Sequence, residues 1–522
     1  MSKSAAWFRS PVSLLVLTAC LLAFAVQSGE LGTADTMHRL QTAHSFWTGE
    51  PQVFPNEFPE FGVHGKGGVL QSWYGIGQSL LLLPFDVVGA YLERLPVFVA
   101  YNGNDPSVRD IVVSYCTNML VAVLTALVCF RLLRQLEFSV KESVAGVLAL
   151  LFATTHLHYT QNMMENNYIF LLTMVGFSYQ YEWLQTRSRS ALAIGSAALG
   201  LNLLTRLTTG MDLLAGGLLI LLAMWFQGLR GRALWERCLA YIKVAVPVYL
   251  VFGILDRIYQ YHRFGTLFNT YVSIIAAEQK QLHPWYPPAY PFETPFHVGF
   301  FGALFAPEKS IFLFDPLLIL MIVVVAFAWK RFPPAIRAYI VTVSLLLLAY
   351  ISFYARYTVW SGDFAWGDRY VSTTVELLAL PSVPLLLRYG QSLGKPVRML
   401  GAILIAASVI IQFASLAFWL PLEIYQMETL GHPTFVIALR FENIAGFALG
   451  KMDAWGLNNH SMTEDPWDFV HITCWNFLPF LLKRVGAAPR WVVDVCLLVW
   501  IASLASLTAV LLRLRSVLRV IA

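Results

Sequence analysis

The sequence predicts an all-α integral membrane protein of about twelve transmembrane helices, with amphipathic helices in its first long outer loop. Three observations predict it. Only 13% of the 522 residues are charged, against roughly 25% in an ordinary soluble domain. The apolar residues fall in runs such as 401–420, 317–329 and 495–512, close to the ~20 residues that cross the hydrocarbon core of a bilayer. Basic residues recur at every second turn between these runs, as the positive-inside rule requires of a multi-pass chain. Because backbone groups inside a bilayer must pair within their own segment, the runs are read as helices.

The predicted spans cover 11–29, 109–133, 142–160, 167–185, 191–206, 210–227, 238–257, 310–329, 336–354, 370–388, 398–420 and 491–512. The first has a competing reading. Lys3 and Arg9 precede an apolar run, and Leu17-Thr18-Ala19-Cys20 has the form of a lipoprotein cleavage box. The apolar run continues through 21–26, so a retained helix is expected. With the N-terminus inside, the inner turns hold Lys3, Arg9, Arg131, Arg134, Lys141, Arg187, Arg189, Arg230, Arg232, Arg237 and Lys243. The later inner turns hold Lys330, Arg331, Arg337, Arg388, Lys395, Arg398, Arg513, Arg515 and Arg519, and both termini are cytoplasmic. The net charge of +5 therefore encodes orientation and makes no case for a nucleic-acid partner. The stretch 78–100 is apolar but carries Pro84, Asp86, Glu93, Arg94 and Pro96. A crossing there would invert every later loop, so it is read as helical segments on the outer membrane surface.

This topology leaves three long outer segments, 30–108, 258–309 and 421–490. The chain divides into a transmembrane module over 1–420 that contains the first outer loop 30–108, an extracytoplasmic region at 421–490, and a last helix with a basic tail at 491–522. No inner loop is long enough for a nucleotide-binding domain and no Walker-type loop occurs, which excludes cytoplasmic ATP use. None of the six cysteines shares a loop with another, so no disulfide or metal framework is indicated.

The outer segments hold the residues that could carry chemistry. Asp35 lies one turn past the first span, where Met37, Leu40, Ala43, His44 and Trp47 follow at helical spacing. Its carboxylate is either an N-cap or a general base at the membrane surface. Glu165 sits in a polar turn with His156 and His158. These three could ligate a divalent metal; the plainer reading is a hydrated turn with helix caps at Asn166 or Asn167. Arg206 is either a snorkelling side chain or a phosphate clamp. The segment 360–370 packs Asp363, Asp368 and Arg369 among glycines and tryptophans, which a simple interfacial aromatic belt does not need. Arg369 and Lys309 are candidates to contact an anionic headgroup.

Six marks in order resemble the GT-C superfamily of membrane glycosyltransferases, in particular bacterial relatives of the protein O-mannosyltransferases and the lipid A aminoarabinose transferase. They are the acid Asp35, the run Tyr74-Gly75-Ile76-Gly77-Gln78-Ser79, Thr205-Arg206, Arg263-Phe264-Gly265-Thr266, Ala306-Pro307-Glu308-Lys309-Ser310 with the following Ile311–Phe314, Asp315 and Pro316, and Trp366-Gly367-Asp368-Arg369-Tyr370. The resemblance runs from the first helix to about residue 390. Thr36, Trp73 and Leu207 stand where relatives often carry an acid, a basic residue and a proline. It implies inverting transfer of a hexosyl or pentosyl group from a polyprenyl-phosphate carrier to a glycan, lipid or protein acceptor outside the cytoplasm of a bacterial inner membrane. Asp35 is then the catalytic residue, with Lys66, Arg206, Lys309 and Arg369 on the donor phosphate. Arg39, Tyr74, Glu165, Trp366 and Asp368 line the cleft, and membrane lipids surround the chain. No cofactor is required, with a divalent metal at His156, His158 and Glu165 as the option. The competing functions are a twelve-helix transporter or flippase of a lipid-linked substrate, and a non-catalytic scaffold. Charges gathered at one face and unlike halves speak against transport. Residues 421–490, with His432, Asp453, His460 and Trp475, are expected to cover the site and select the acceptor.

Overall fold

A computed structural model describes residues 10–55, 62–362, 365–419, 421–428, 430–451 and 474–521. Asp363, Asp453 and His460 lie outside the described residues. The protein is a multi-pass, all-α membrane protein, with one small hairpin among the described residues. It opens with α1 (Pro11–Val26) and α2 (Ala34–Thr48), followed by β1 (Gly62–His64) and β2 (Leu70–Ser72), which pair antiparallel with Val63 opposite Gln71. Next come α3 (Gly77–Glu93), α4 (Val108–Gln135), α5 (Val140–Ala153), α6 (His156–Gln161), α7 (Asn166–Thr186) and α8 (Arg189–Thr205). Then follow α9 (Gly210–Phe226), α10 (Gly231–Phe264), α11 (Tyr271–Leu282), α12 (Phe296–Phe305), α13 (Ile311–Phe314), α14 (Leu317–Ala328) and α15 (Pro334–Tyr354). The chain ends with α16 (Ser372–Ala379), α17 (Ser382–Leu393), α18 (Lys395–Ser415), α19 (Pro421–Glu428), α20 (Val436–Ala448), α21 (Leu478–Val485) and α22 (Arg490–Ile521).

Each predicted span falls on a helix or on a broken pair of helices. By length and composition, six helices among the described residues suffice to cross a membrane: Val108–Gln135, Leu207–Phe226, Gly231–Phe264, Pro334–Tyr354, Lys395–Ser415 and Arg490–Val520. Three other predicted spans are interrupted, at Thr154–Thr155, Asp315–Pro316 and Leu380–Pro381. Pro316 and Pro381 account for two of these breaks, since proline removes an N–H and disfavours helix in the residue before it. α7 is polar for another reason. Its Thr173, Ser178 and Gln180 are fully buried among other helices, and Thr173 and Gln180 are hydrogen-bonded there to Asp212 and Tyr249. A helix sheathed by protein needs no lipid-compatible face.

The ends of these helices near Asp35 are tied together by side chains that fix the loop after α1 against α6 and the turn that follows it. Gln27 donates to the Thr160 carbonyl at 2.5 Å, and Gln161 donates to the Val26 carbonyl at 2.8 Å. Gly32 has φ of +82°, and a Cβ there would sit 2.7 Å from Asn162 and Met163 backbone atoms. The stretch 78–100 is mostly α3, packed between α2 and α4. Its buried Asp86 binds three residues of α2 and α4 at once: Trp47 donates to Oδ2 at 2.7 Å, His44 Nδ1 lies 2.9 Å away, and Arg109 donates to Oδ1 at 2.5 Å. In the region 421–490, buried Arg440 clasps Glu423 at 2.5 and 2.6 Å and donates to the carbonyls of Ser415 and Phe418 that end α18. Its guanidinium carbon also lies 5.3 Å from the Trp366 ring centroid, so this region is anchored to the 365–370 loop. Trp475 stacks on Phe418 at 5.2 Å.

Candidate active site

Asp35 is in the first turn of α2, but it does not cap the helix. Thr33 is the N-cap, its hydroxyl accepting from Thr36 N. The Asp35 carboxylate is left to face outward from the turn. Tyr74 Oη donates to its Oδ1 at 2.6 Å, and Arg369 Nη1 donates to its Oδ2 at 2.7 Å. Its side chain is 16% exposed, so a ligand can reach it.

Tyr74 is brought there by its glycines. A Cβ on Gly75 would meet the carbonyls of Leu204 and Thr205, and one on Gly77 would meet Thr205 itself. The run 74–77 therefore lies directly on the end of α8, the place where Arg206 leaves the helix with extended backbone. Arg263, buried at the last turn of α10, donates to the carbonyls of Ser72 and Tyr74 and fixes the other side of the run. Two motifs far apart in sequence, 74–77 and 205–206, are thus one packing unit with a third, 263–265.

Glu165 is 3% exposed and directs both oxygens at arginines. Arg39 Nη1 lies 2.8 Å from Oε2, and Arg206 donates to Oε1. Arg206 is therefore no snorkelling side chain. Arg39 also covers the Tyr74 ring, with its guanidinium carbon 4.3 Å from the centroid, which joins the Glu165 pair to the Asp35 pair. Tyr370 lies beneath Arg206 and Arg369 at 5.5 and 5.3 Å, and stacks on Tyr354 at 4.2 Å. Asn166 holds the Arg369 carbonyl at 2.6 Å rather than capping α7.

Six expected residues, Asp35, Arg39, Tyr74, Glu165, Arg206 and Arg369, thus form one cluster. Lys309, Trp366 and Asp368 stand next to it. Lys309 Nζ donates to the Ala365 carbonyl at 2.8 Å and supports the loop that ends in Arg369. Trp366 is fully buried between Phe314 and His158, and Asp368 Oδ1 accepts from Tyr370 N at 3.0 Å. Lys66 stands apart: it is exposed in the hairpin turn, its ammonium 5.9 Å from the Tyr261 ring. The structure does not gather His156, His158 and Glu165. His156 Nδ1 lies 3.1 Å from Glu376, His158 stacks on Trp366 at 5.7 Å, and Glu165 faces the arginines. Among the described residues no group of three His, Cys, Asp or Glu converges on a common point.

The electrostatics follow from these contacts. Burial pushes the Asp35 carboxyl up, but Arg369 and Arg39 outweigh it and leave the group below its ordinary range. Burial also opposes ionisation of Glu165, and Arg206, Arg39 and Arg369 hold it far below. Burial and the Asp35 charge raise Tyr74, so it stays a donor to the carboxylate. Burial presses His38, one turn along α2, down to about 4. Asp368 is raised by burial, against the pull of Lys309 and Arg369. Within the cluster, three guanidinium cations face two carboxylates, so one positive charge is uncompensated. Such a site can take an anion beside a carboxylate that can accept a proton.

Tyr370, Arg263 and Tyr354 are not among the site residues expected from the sequence, and Asn166 is expected there only as a helix cap. The first two lie inside quoted motifs and were within reach; nothing in the sequence around Tyr354 marks it.

No family model matches the sequence, and no curated protein matches it. Among solved structures, the chain is similar to ArnT from Cupriavidus metallidurans bound to undecaprenyl phosphate. That match has 13% identity over 97% of this chain and 77% of that one, with a TM-score of 0.43. It is also similar to the apo oligosaccharyltransferase of Archaeoglobus fulgidus, at 13% identity over 82% of this chain, with a TM-score of 0.43. This chain spans 55% of the length of the archaeal protein.

Proposed function

We propose that the chain is a GT-C-type inverting glycosyltransferase of a bacterial inner membrane, moving a sugar from a polyprenyl-phosphate carrier to an extracytoplasmic acceptor. One observation carries the reading: a partly open carboxylate, Asp35, is bonded to one arginine of a cluster that holds an excess positive charge. A transfer of this kind needs a base for the acceptor hydroxyl and a cationic seat for the phosphate that leaves.

The acceptor oxygen attacks the anomeric carbon on the face opposite the phosphate. The bond from that carbon to the phosphate oxygen breaks, the phosphate departs with the bonding pair, and the hydroxyl proton passes to Asp35. The leaving group is a stable anion, so no general acid is called for. Each Asp35 oxygen has one bond from Tyr74 or Arg369 and keeps a second lone pair for the incoming proton. Arg369 links the two halves of the reaction. A phosphate that draws its guanidinium away from Asp35 removes the main charge that holds the carboxyl acidic. Asp35 becomes the stronger base when the donor is in place. Glu165 acts through Arg39 and Arg206, presenting both toward the same space.

The test is release of sugar from radiolabelled polyprenyl-phosphate sugars, with a cell-envelope extract as acceptor, by purified wild type and Asp35→Asn in matched detergent. Turnover by the wild type that collapses in an equally folded variant is expected. Equal turnover removes Asp35 from the mechanism, and no turnover with any donor removes the transferase reading.

A further inference from the structure

We infer that a leucine-walled groove between α5 and α22, at the end of the bundle away from Asp35, is a binding site for an anionic phospholipid. The groove has a volume of ≈ 370 Å³, within the roughly 300–1,000 Å³ of small-molecule sites. Its walls are Leu148, Leu511, Leu514 and Leu518, and its rim carries Lys141, Arg515 and Arg519.

Its place in the fold follows from the helices that form it. From Lys141, α5 (Val140–Ala153) runs to Ala153, after which α6 leads into the turn that bears Glu165. At ~1.5 Å per residue that is about 20 Å of helix. α22 runs the same way in reverse: Trp500 in its first half donates to the Ala25 carbonyl at 2.8 Å, near the outer end of α1, and Arg515 and Arg519 lie beyond. The groove therefore opens at the opposite face of the bilayer from the Asp35 cluster.

Charge identifies the occupant. Several other basic residues at this end are paired within the protein: Arg388 binds Glu142 at 2.6 Å, Arg232 binds Glu236 at 2.8 Å, and Arg131 pairs with Glu182. Among the described residues Lys141, Arg515 and Arg519 have no acidic partner. No Asp or Glu follows Asp494 in the sequence, so α22 cannot supply one. Three cations from two helices thus share one cavity whose walls are entirely aliphatic. A free phosphate ion would match the rim and leave the leucines wet. A zwitterionic lipid would match the leucines and leave the rim uncompensated. An anionic phospholipid satisfies both, its acyl chain on the leucines and its phosphate among the three cations.

The full-length protein is reconstituted in vesicles of four parts phosphatidylcholine to one part phosphatidylglycerol and extracted gently, and the retained lipid is quantified by native mass spectrometry. Attraction of roughly fivefold per basic residue at a membrane surface is the upper scale, so retained phosphatidylglycerol enriched about tenfold over its bulk ratio is expected. The triple variant Lys141→Gln, Arg515→Gln, Arg519→Gln should lose the enrichment. A control removing three charges elsewhere at this end, Arg189→Gln, Arg237→Gln, Lys243→Gln, should keep it. Equal retention in the two variants would overturn the site, because the enrichment would then reflect the basic surface as a whole. Displacement of the lipid by millimolar inorganic phosphate would overturn the role of the leucine walls. Neither variant touches the Asp35 cluster, so the result stands apart from the transferase reading.

Discussion

Arg369 Nη1 donates to Asp35 Oδ2 at 2.7 Å across 334 positions of sequence, and this bond joins the first turn of α2 to the loop before α16. In the free protein the proposed base is therefore held by the same arginine that would take the donor's phosphate.

That competition gives the first prediction. Asp35→Asn should abolish turnover, by the 10²–10⁴-fold that a positioned general base typically supplies. The same variant should bind sugar-free polyprenyl phosphate roughly threefold or more tightly, because Arg369 no longer has a carboxylate to leave. Fluorescence titration with a short-chain polyprenyl phosphate checks it; weaker or unchanged binding would separate Arg369 from the phosphate.

The Glu165 pairs give the second. Glu165 is 3% exposed between Arg39 and Arg206. Glu165→Gln leaves two guanidiniums facing each other without their counterion, and removing one partner from a buried ion pair typically destabilises by about 3–5 kcal/mol. A clear fall in the denaturation midpoint in detergent is expected. A midpoint equal to wild type would mean the arginines find other partners.

His38 gives a pH signature. Its folded value of about 4 lies below its ordinary 6.5. Between those two values the unfolded chain binds more protons than the folded one, so the contribution of His38 makes stability rise with pH across that window. The full span is on the order of 3 kcal/mol. His38→Gln should flatten the stability profile between pH 4 and 6.5 and leave it unchanged above pH 7. A profile of the same slope in the variant would assign the dependence to another group.

The close approach of 74–77 to the end of α8 can be tested by size alone. Gly77→Ala should destabilise by about 1–3 kcal/mol, the usual range for overpacking, since the new methyl meets the Thr205 side chain and backbone. Thr205→Ala should recover part of that loss by removing the nearest atom. Thermal unfolding of the two single variants and the double variant measures the coupling.

The sequence by itself determined where the helices lie, whereas the breaks inside 142–160, 310–329 and 370–388, read from the sequence as continuous spans, came only with the structure. Runs of apolar residues, basic turns and prolines act locally, so spans such as 336–354 and the surface helix after Asp35 were legible from composition and period. It also marked the residues of the site, because an arginine such as Arg206 at the end of an apolar run stands out without any neighbour being known. Their pairing was decided only by the tertiary structure. Asp35 could be read as a helix cap until Thr33 took that role and Tyr74 and Arg369 took the carboxylate. Glu165 could be a metal ligand until Arg39 and Arg206 closed on it. Lys66 matched the phosphate-clamp pattern yet stands beside Tyr261, because the hairpin that carries it packs against the end of α10. Charge and hydrogen bonding reach only a few ångströms, whereas the partners lie up to 334 residues apart. Which groups meet in the cluster is therefore fixed by how the helices pack, and no local pattern in the chain encodes it.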